Sequence, residues 1–348
     1  MKGRVIALGH WRGHEAAALT EDGQLQDFIT DSATPRPGTL YRAVADRPAK
    51  GQGGVFVRTP DGTGFLRQAR GLSAGKPLLV QVTGVAEPGK AIPLTARILF
   101  KSRYAIVTPG APGRNVSRAI TDHDLRDRLL QMASEADLPA EAGLILRSAC
   151  AGADARNVTA DMDSMTGLAA QVLSDAAQGP AEKLVEGDGP HALAWRDWPD
   201  PDLLAEGPRA FVDHQVEDAL ETFLHPVVAL PTGGSFAVEP TRALVAVDVN
   251  TGRDGSPAMG LKANVAAARD LPRQLRVRGL GGQVVLDPAP MPKKDRRAFE
   301  SALRAAFRRD DVETSLVGWT PLGHYELQRK RDRAPLWSVR DQTKRKTP

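Results

Sequence analysis

Between residues 38 and 99 the hydrophobic positions recur in short runs that glycine, proline and aspartate separate. The runs are LYRAVA, GGVFVR, GTGFLR, PLLVQVTGV and IPLTARILF. Apolar runs of this length, with turn residues about every eight to twelve positions, are typical of short strands in an all-β unit. The pattern predicts a small five-stranded barrel.

Outside this span the pattern changes between strands and amphipathic helices. The first thirty residues predict three strands, and residues 187–202, rich in Gly, Pro, Trp and Asp, predict a loop. The segment VTPGAPGRNVSRAI also reads as a loop. Further strands are predicted at AGLIL, in the hairpin PTGGSFAVEPTRALVAVDV and at GGQVVLD, with helices near 122–135, 157–177, 209–223, 260–278 and 293–308. The chain is predicted to be a mixed α/β protein of two to four domains.

Two of the predicted strands end on a carboxylate. ALVAVDVN carries Asp248 and Asn250 at its end, and GGQVVLD ends on Asp287. Acidic residues at the ends of buried strands are poorly placed for packing but well placed to hold a divalent cation through oxygen. DVNTG and DPAP also read as turns, so the aspartates could instead be turn or capping residues.

The charge is distributed unevenly along the chain. Residues 292–348 contain 15 Lys/Arg and 8 Asp/Glu, a balance of +7, which suits contact with a phosphate backbone. The tail KRKTP alone reads as solvated surface. Between the acidic strands, Arg273, Arg276 and Arg278 are candidates for binding flanking phosphates, although at least one of them is expected to serve only solubility.

Two phenylalanines stand on consecutive predicted barrel strands. Phe56 and Phe65 flank the turn TPDGTG. On oligonucleotide-binding barrels, exposed aromatic rings stack unpaired bases. The alternative is that one or both rings fill the barrel.

The single cysteine limits the possible cysteine chemistry, and the short apolar runs limit the possible cellular compartments. One cysteine, Cys150, excludes a disulfide framework and a CxxC zinc site, and it reads as a buried small residue rather than a nucleophile. The N-terminus lacks the pattern of a signal peptide, and no apolar run could span a bilayer. These features predict a cytoplasmic protein with no membrane partner.

Together these motifs resemble the ribonuclease E/G family of endoribonucleases. The resemblance rests on EPTRALVAVDVNTG, ANVAAARDLPRQLRVRGLGGQVVLD and GLILRSA, with GGVFVRTPDGTGFL similar to the S1 domain of that family and NVSRAI similar to the start of its 5′-end sensor. It implies a mixed α/β architecture, with an RNase H-like core interrupted by an S1 barrel. The implied order is a first RNase H-like segment (1–34), an S1-like RNA-binding barrel (35–105), a 5′-sensor region (106–170), a second RNase H-like segment (171–228) and a DNase I-like catalytic subdomain (229–348).

The resemblance also implies roles for individual residues. Asp248 and Asp287 fall on the two magnesium-binding aspartates of the family, and Asn250 on the asparagine that supports the metal site and the attacking water. Phe56 and Phe65 fall on the aromatics that grip single-stranded RNA. The residues that fall on the binding site for a 5′-monophosphate are Arg118, Arg147 and Ser148. For the last two, a strand end with a salt bridge is the alternative.

Several positions depart from the family pattern. The cysteine-containing zinc link and the small dimerisation domain that follow the catalytic domain in the family do not follow here, so no zinc is expected and a monomer or a dimer without a zinc link is predicted. Pro290 stands where the family usually has a second acidic residue, and Pro321 where an arginine is common. These departures predict weaker metal binding and weaker 5′ sensing.

The leading hypothesis is a Mg²⁺-dependent endoribonuclease, with Mn²⁺ as an alternative ion. It would cut single-stranded RNA to 5′-phosphate and 3′-hydroxyl products in RNA processing or decay. The rival hypothesis is a non-catalytic RNA-binding protein derived from the same family. A nuclease acting on DNA is a third hypothesis, which the S1-like and sensor residues disfavour.

Overall fold

The computed structural model describes residues 3–31, 35–49, 53–67, 69, 72–176 and 179–342. The tail KRKTP lies outside these residues. The strands are β1 (Arg4–Trp11), β2 (His14–Glu21), β3 (Gln24–Thr30), β4 (Leu40–Ala49), β5 (Gly54–Thr59), β6 (Gly62–Arg67), β7 (Pro77–Val82), β8 (Ile92–Thr95), β9 (Phe100–Lys101), β10 (Ala105–Pro109), β11 (Gly113–Val116), β12 (Ala142–Leu146), β13 (Glu182–Val185), β14 (Leu203–Glu206), β15 (Val227–Ala229), β16 (Ser235–Pro240), β17 (Val245–Asn250), β18 (Gly282–Asp287), β19 (Thr314–Trp319) and β20 (Tyr325–Arg329). The helices are α1 (His123–Glu135), α2 (Ala155–Asp175), α3 (Pro190–Asp197), α4 (Ala210–Asp213), α5 (Val216–Leu224), α6 (Pro257–Val277) and α7 (Arg296–Phe307).

The chain forms two compact units. The first unit comprises Met1–Ala33 and Pro201–Pro348, and the second comprises Thr34–Asp200. The chain leaves the first unit after β3 and returns at β14, which pairs in parallel with β1. The second unit is therefore an insertion into the first. Within the described residues, no helix is both long and apolar enough to cross a membrane.

The second unit contains the predicted barrel. Strands β4, β5, β6, β8 and β7 pair in this order, and β7 pairs back on β4, so the sheet closes. Side chains alternate between the two faces of each strand, which buries Val55, Val57 and Leu66 inside. The prediction of a five-stranded barrel is confirmed, and β13 adds to β4 from outside that span.

The remainder of the second unit contains a small sheet and the helices α1, α2 and α3. The sheet has the order β11-β12-β10-β9, and α1 and α2 pack against it. Asp122 caps α1 by accepting from the amide of Leu125 at 3.1 Å, and Asp154 caps α2 in the same way. Because β11 runs parallel to β12, the residues that follow these two strands emerge at the same edge.

The first unit contains two sheets. One has the order β14-β1-β2-β3, and the other has the order β15-β16-β17-β18-β20-β19. Helices α6 and α7 cover one face of the second sheet, where Val247, Leu271, Leu286 and Phe299 are buried in one core. Since side chains alternate along a strand, the polar residues of β17 and β18 lie on the opposite face.

The structure differs from the predictions at four places. Residues 187–202, expected as a loop, contain α3, which begins with Pro190 in its first turn, a position that proline favours. The helix expected over 209–223 is divided into α4 and α5, because Gln215 has a left-handed backbone with φ 56°. The segment VTPGAPGRNVSRAI, expected as a loop, contains the end of β10 and all of β11, which pairs in parallel with β12. The segment 171–228, predicted as RNase H-like, is divided between the two units at Pro201, and its RNase H-like character stays a prediction.

Candidate functional site

Two carboxylates lie side by side on the sheet of the first unit. Strands β17 and β18 are parallel neighbours, and Asp248 and Asp287 are register partners. Neighbouring strands are roughly 4.8 Å apart, so the two side chains leave the same face close together. Both residues are exposed, and 63% of the Asp287 side chain is accessible. The structure therefore brings together the two aspartates that the sequence singled out.

Asn250 and His324 flank this pair. The Asn250 Nδ2 donates to Asp248 Oδ2 at 2.7 Å. On the other side, His324 Nε2 lies 3.7 Å from Asp287 Oδ1. The antiparallel pairing of β18 with β20 brings the histidine there. Sequence reasoning missed His324, because spacing along the chain gives no signal of that pairing.

The donor set of this site is oxygen-rich and small. Among the described residues, no group of three or more His, Cys, Asp or Glu side chains is arranged to hold a metal ion. Two adjacent carboxylates nevertheless suit Mg²⁺, which prefers hard oxygen ligands and usually keeps several of its waters. The site thus fits Mg²⁺ better than a metal that needs a full set of protein ligands.

Helix α6 fixes the chain that follows Asp287. Asn264 is completely buried, and its side chain both donates to the carbonyl oxygen of Ala289 and accepts from the amide of Ala289, each at 2.8 Å. One turn earlier, Gly260 approaches the same loop so closely that a Cβ atom would lie 2.1 Å from the oxygen of Pro290. Asn264 is thus a positioning residue that sequence reasoning did not identify.

Replacing Asn264 with alanine is expected to lower both stability and cleavage. The substitution leaves the N–H and C=O of Ala289 buried without partners, at a cost of about 1–3 kcal/mol each, and releases the loop next to Asp287. Chemical denaturation and kcat/KM on RNA would measure the two effects. Asn157→Ala, at an exposed helical position in α2, is the matched control. Wild-type stability in Asn264→Ala would contradict this role.

Two of the three arginines predicted to bind RNA phosphates are held by neighbours in the first unit. Arg278 is 2% exposed, and its Nη2 donates to the carbonyl oxygen of His225 at 2.8 Å. Burial lowers the pKa of Arg278 to about 10. Arg273 pairs with Asp270 at 2.6 Å and donates to the carbonyl oxygen of Leu25. The prediction is wrong for Arg278, which RNA cannot reach, and the contacts of Arg273 are structural.

The third arginine has a structural role as well. Arg276 pairs with Asp310, whose side chain is 0% exposed, and donates to the carbonyl oxygen of Gln26 at 2.9 Å. Asp310 also pairs with Arg329, whose side chain is 1% exposed. The three side chains form a buried ionic cluster, so the predicted phosphate contact of Arg276 is corrected to a contact within the fold.

The two phenylalanines lie on the outside of the barrel in the second unit. Phe56 and Phe65 are cross-strand partners, with ring centroids 5.4 Å apart, and both are half-buried rather than part of the barrel core. A Cβ atom on Gly54 would lie 2.6 Å from the Phe65 ring, so the glycine makes room for it. The Arg47 guanidinium carbon lies 5.6 Å from the centroid of the Phe56 ring. Arg58, on the same strand as Phe56, is exposed. The alternative that these rings fill the barrel is excluded.

Replacing Phe56 or Phe65 with leucine is expected to weaken binding of single-stranded RNA by about 5- to 150-fold, because each stacked base is worth roughly 1–3 kcal/mol. Leucine keeps apolar surface but removes the aromatic face, whereas Phe56→Tyr keeps the face and should bind nearly as wild type. Fluorescence anisotropy with a labelled oligoribonucleotide measures the dissociation constants. Equal affinities for the leucine and tyrosine variants would exclude stacking.

The predicted sensor residues lie at one edge of the small sheet in the second unit. Arg118 follows β11, while Arg147 and Ser148 follow β12, and the parallel pairing of these strands places both ends together. Arg118 and Ser148 are exposed. The Arg147 side chain is 19% exposed and donates to Asp197 Oδ1 at 2.8 Å. The salt bridge that was the alternative for Arg147 is thus present, beside two accessible groups.

Asp197 is the centre of the charges at this edge. Lys101 lies 2.7 Å from its Oδ1, and Arg196 lies 2.7 Å from its Oδ2. Burial alone would raise the pKa of Asp197, but the hydrogen bonds and positive charges of Arg196 and Lys101 hold that pKa well below its usual range. The carboxylate therefore stays ionised and keeps Arg147 in place.

Cys150 and an apolar cavity of the first unit lie outside these sites. Cys150 is buried as predicted, and burial raises the pKa of its thiol to about 11, which makes it a poor nucleophile. A cavity of about 710 Å³ in the first unit is lined mainly by apolar residues of α6 and of the β15 edge, such as Val228, Leu230 and Val265. Neither Asp248 nor Asp287 lines this cavity, so the carboxylates occupy an open sheet face.

Comparison with known proteins identifies the family of the chain. The sequence profile of the Ribonuclease E/G family matches residues 100–203 and 202–332. The chain belongs to the ribonuclease E/G family.

Individual relatives share about a quarter of the sequence. Ribonuclease E of Nostoc sp. is 26% identical over 383 residues, covering 94% of this chain and 56% of that protein. Ribonuclease G of Salmonella typhimurium is 29% identical over 303 residues, covering 76% and 62%. Ribonuclease E of Escherichia coli is 27% identical over 299 residues, covering 75% and 28%. The chain thus spans less than two thirds of the length of each.

Proposed function

We propose that this chain is a magnesium-dependent endoribonuclease that cleaves single-stranded RNA, in RNA processing or decay. The observation that carries the proposal is the register pairing of Asp248 with Asp287 on an exposed sheet face, with Asn250 bonded to the first. Membership of the ribonuclease E/G family supports RNA as the substrate.

In this proposal Asp248 and Asp287 hold one Mg²⁺, for which Mn²⁺ can substitute. The bound ion supplies Lewis-acid polarisation of a phosphoryl oxygen and a lowered pKa for water. The Nδ2 of Asn250 orients Asp248 by donating to it, and the Oδ1 of Asn250 remains an acceptor for the attacking water. Water attacks the phosphorus atom and the P–O3′ bond breaks. The attacking water releases a proton to solvent and the departing 3′ oxygen takes one from solvent, which gives 5′-phosphate and 3′-hydroxyl ends.

In this proposal the second unit binds the RNA. Phe56 and Phe65 stack unpaired bases, and exposed arginines such as Arg58 neutralise phosphates. Arg118 and Ser148 bind a 5′-monophosphate, with Arg147 held beside them by Asp197. We assign the S1-like and 5′-sensor roles to this unit, and the RNase H-like and DNase I-like roles to the first.

We propose that the protein is cytoplasmic and acts as a monomer or as a dimer without a zinc link. Cys150 is buried, which disfavours its use as a zinc ligand between subunits.

A non-catalytic RNA-binding protein is the second candidate. It is favoured by Pro290, which follows Asp287 in the chain at a position where the family pattern has a second acidic residue. A cleavage assay separates the two candidates: a 5′-monophosphorylated, A/U-rich single strand is incubated with Mg²⁺ or with EDTA, and the product ends are mapped. Internal cuts that need Mg²⁺ and leave 5′-phosphates support the endonuclease. Binding without cutting supports the second candidate.

A further inference from the structure

Trp195 is an exposed aromatic residue that the proposed function leaves unused. It lies in the last turn of α3 and is 57% exposed, whereas Trp198, just beyond the helix, is 5% exposed. An indole in water forgoes the large gain that burial of an aromatic ring gives, and exposed aromatics are common at binding surfaces. The two neighbouring tryptophans therefore have different roles: Trp198 packs in the interior, and the role of Trp195 is not packing.

A buried arginine holds the indole in position. The Arg103 guanidinium carbon lies 4.3 Å from the centroid of the Trp195 ring, and the Arg103 side chain is 6% exposed. Arg103 also donates to the carbonyl oxygens of Trp195 and Trp198 and to Asp200 Oδ1. A cation–π contact is stronger when the cation is desolvated. The ring is thus ordered before any ligand arrives, which lowers the entropic cost of binding.

The end of α3 is joined to the sensor edge of the same unit. Arg147 donates to the carbonyl oxygen of Arg196 at 3.0 Å and to Asp197 at 2.8 Å. Arg196 follows Trp195 in the chain, and Ser148 follows Arg147. The exposed ring is therefore anchored to the element that carries the proposed 5′-phosphate ligands.

We propose that Trp195 stacks on one of the first two bases of an RNA whose 5′-phosphate is bound at Arg118 and Ser148. This role rests on the proposed function of the chain. Single-stranded RNA is recognised by stacking of splayed bases on aromatic rings, and an arginine behind the ring makes it a rigid platform. The proposed phosphate site, which Arg147 joins to the end of α3, favours a nucleobase over an apolar protein segment as the occupant.

The test uses the full chain with Asp287→Asn, so that RNA is bound but not cut. Two 5′-monophosphorylated single strands are compared by fluorescence anisotropy, one with all its bases and one abasic at the first two positions. The parent protein is expected to prefer the complete strand by about 5- to 150-fold, and Trp195→Ala should abolish that preference. Trp195→Phe should retain most of it. Trp337→Ala is the matched control, because Trp337 is 47% exposed and lies in the first unit.

The outcomes separate this inference from the proposed function. If the parent shows no preference for the complete strand, or if Trp195→Ala keeps the preference, the stacking role is overturned. If the stacking role is overturned but the wild type still cuts RNA, the proposed endonuclease function is retained. If the wild type neither binds nor cuts RNA, both proposals fail. Circular dichroism confirms that each variant is folded.

Discussion

Replacing Asp287 with asparagine is expected to lower kcat/KM for RNA cleavage by about 100-fold or more. About 3 kcal/mol of lost transition-state stabilisation produces that factor, and a metal ion contributes several kcal/mol. Folding should be unaffected, because the side chain is 63% exposed. Removing one of two adjacent like charges also relieves repulsion between the strands.

The variant is assayed in Mg²⁺ on a 5′-monophosphorylated single strand, and its affinity for the same RNA is measured separately. Asp218→Asn, an equivalent change at an exposed position of α5, is the control and should cut as wild type does. Unchanged RNA affinity together with lost cleavage would show that Asp287 takes part in the reaction and not in RNA binding. Full cleavage by Asp287→Asn would mean that the reaction occurs elsewhere.

Replacing Asp310 with alanine is expected to lower the free energy of unfolding by about 3–5 kcal/mol, because it leaves the buried Arg329 without its anion. Arg329 depends on this carboxylate most: its Nη1 also donates to Thr314 Oγ1 at 2.8 Å, while its Nε and Nη2 are buried without a partner among the described residues. Arg276 loses its closer carboxylate and keeps Asp27, whose Oδ1 lies 3.6 Å from the Arg276 Nε.

Thermal melting followed by circular dichroism measures this effect, with an expected fall in Tm of about 6–20 °C. Glu313→Ala, at an exposed position of the same unit, is the control and should melt near the wild-type temperature. The result also tests the corrected role of Arg276. A Tm unchanged in Asp310→Ala, together with weaker RNA binding in Arg276→Ala, would restore the phosphate-binding prediction.

The sequence predicted the elements whose signal is local. The barrel strands alternate apolar and polar residues between turn residues, and Asp122, at the predicted start of α1, is its N-cap. The carboxylate pair was predictable because Asp248 and Asp287 each end a strand, and neighbouring parallel strands bring such ends together. The resemblance to a family added the roles of these residues.

Features that depend on tertiary contacts could not be predicted. A helical run of arginines has the same sequence pattern whether it faces RNA or, as with Arg276 and Arg278, the interior. Asn264 looks like any helical asparagine until its two bonds to Ala289 are seen. Strand β11 is too short and polar to distinguish from a loop, and only its pairing with β12 defines it.

The most direct test of the central claim is a titration of the protein with Mn²⁺, followed by the electron paramagnetic resonance signal of the free ion. Wild type and Asp218→Asn are predicted to bind one ion that Mg²⁺ displaces, and Asp248→Asn and Asp287→Asn are each predicted to lose it. Equal binding of Mn²⁺ by all four proteins would contradict the assignment of the metal site to Asp248 and Asp287.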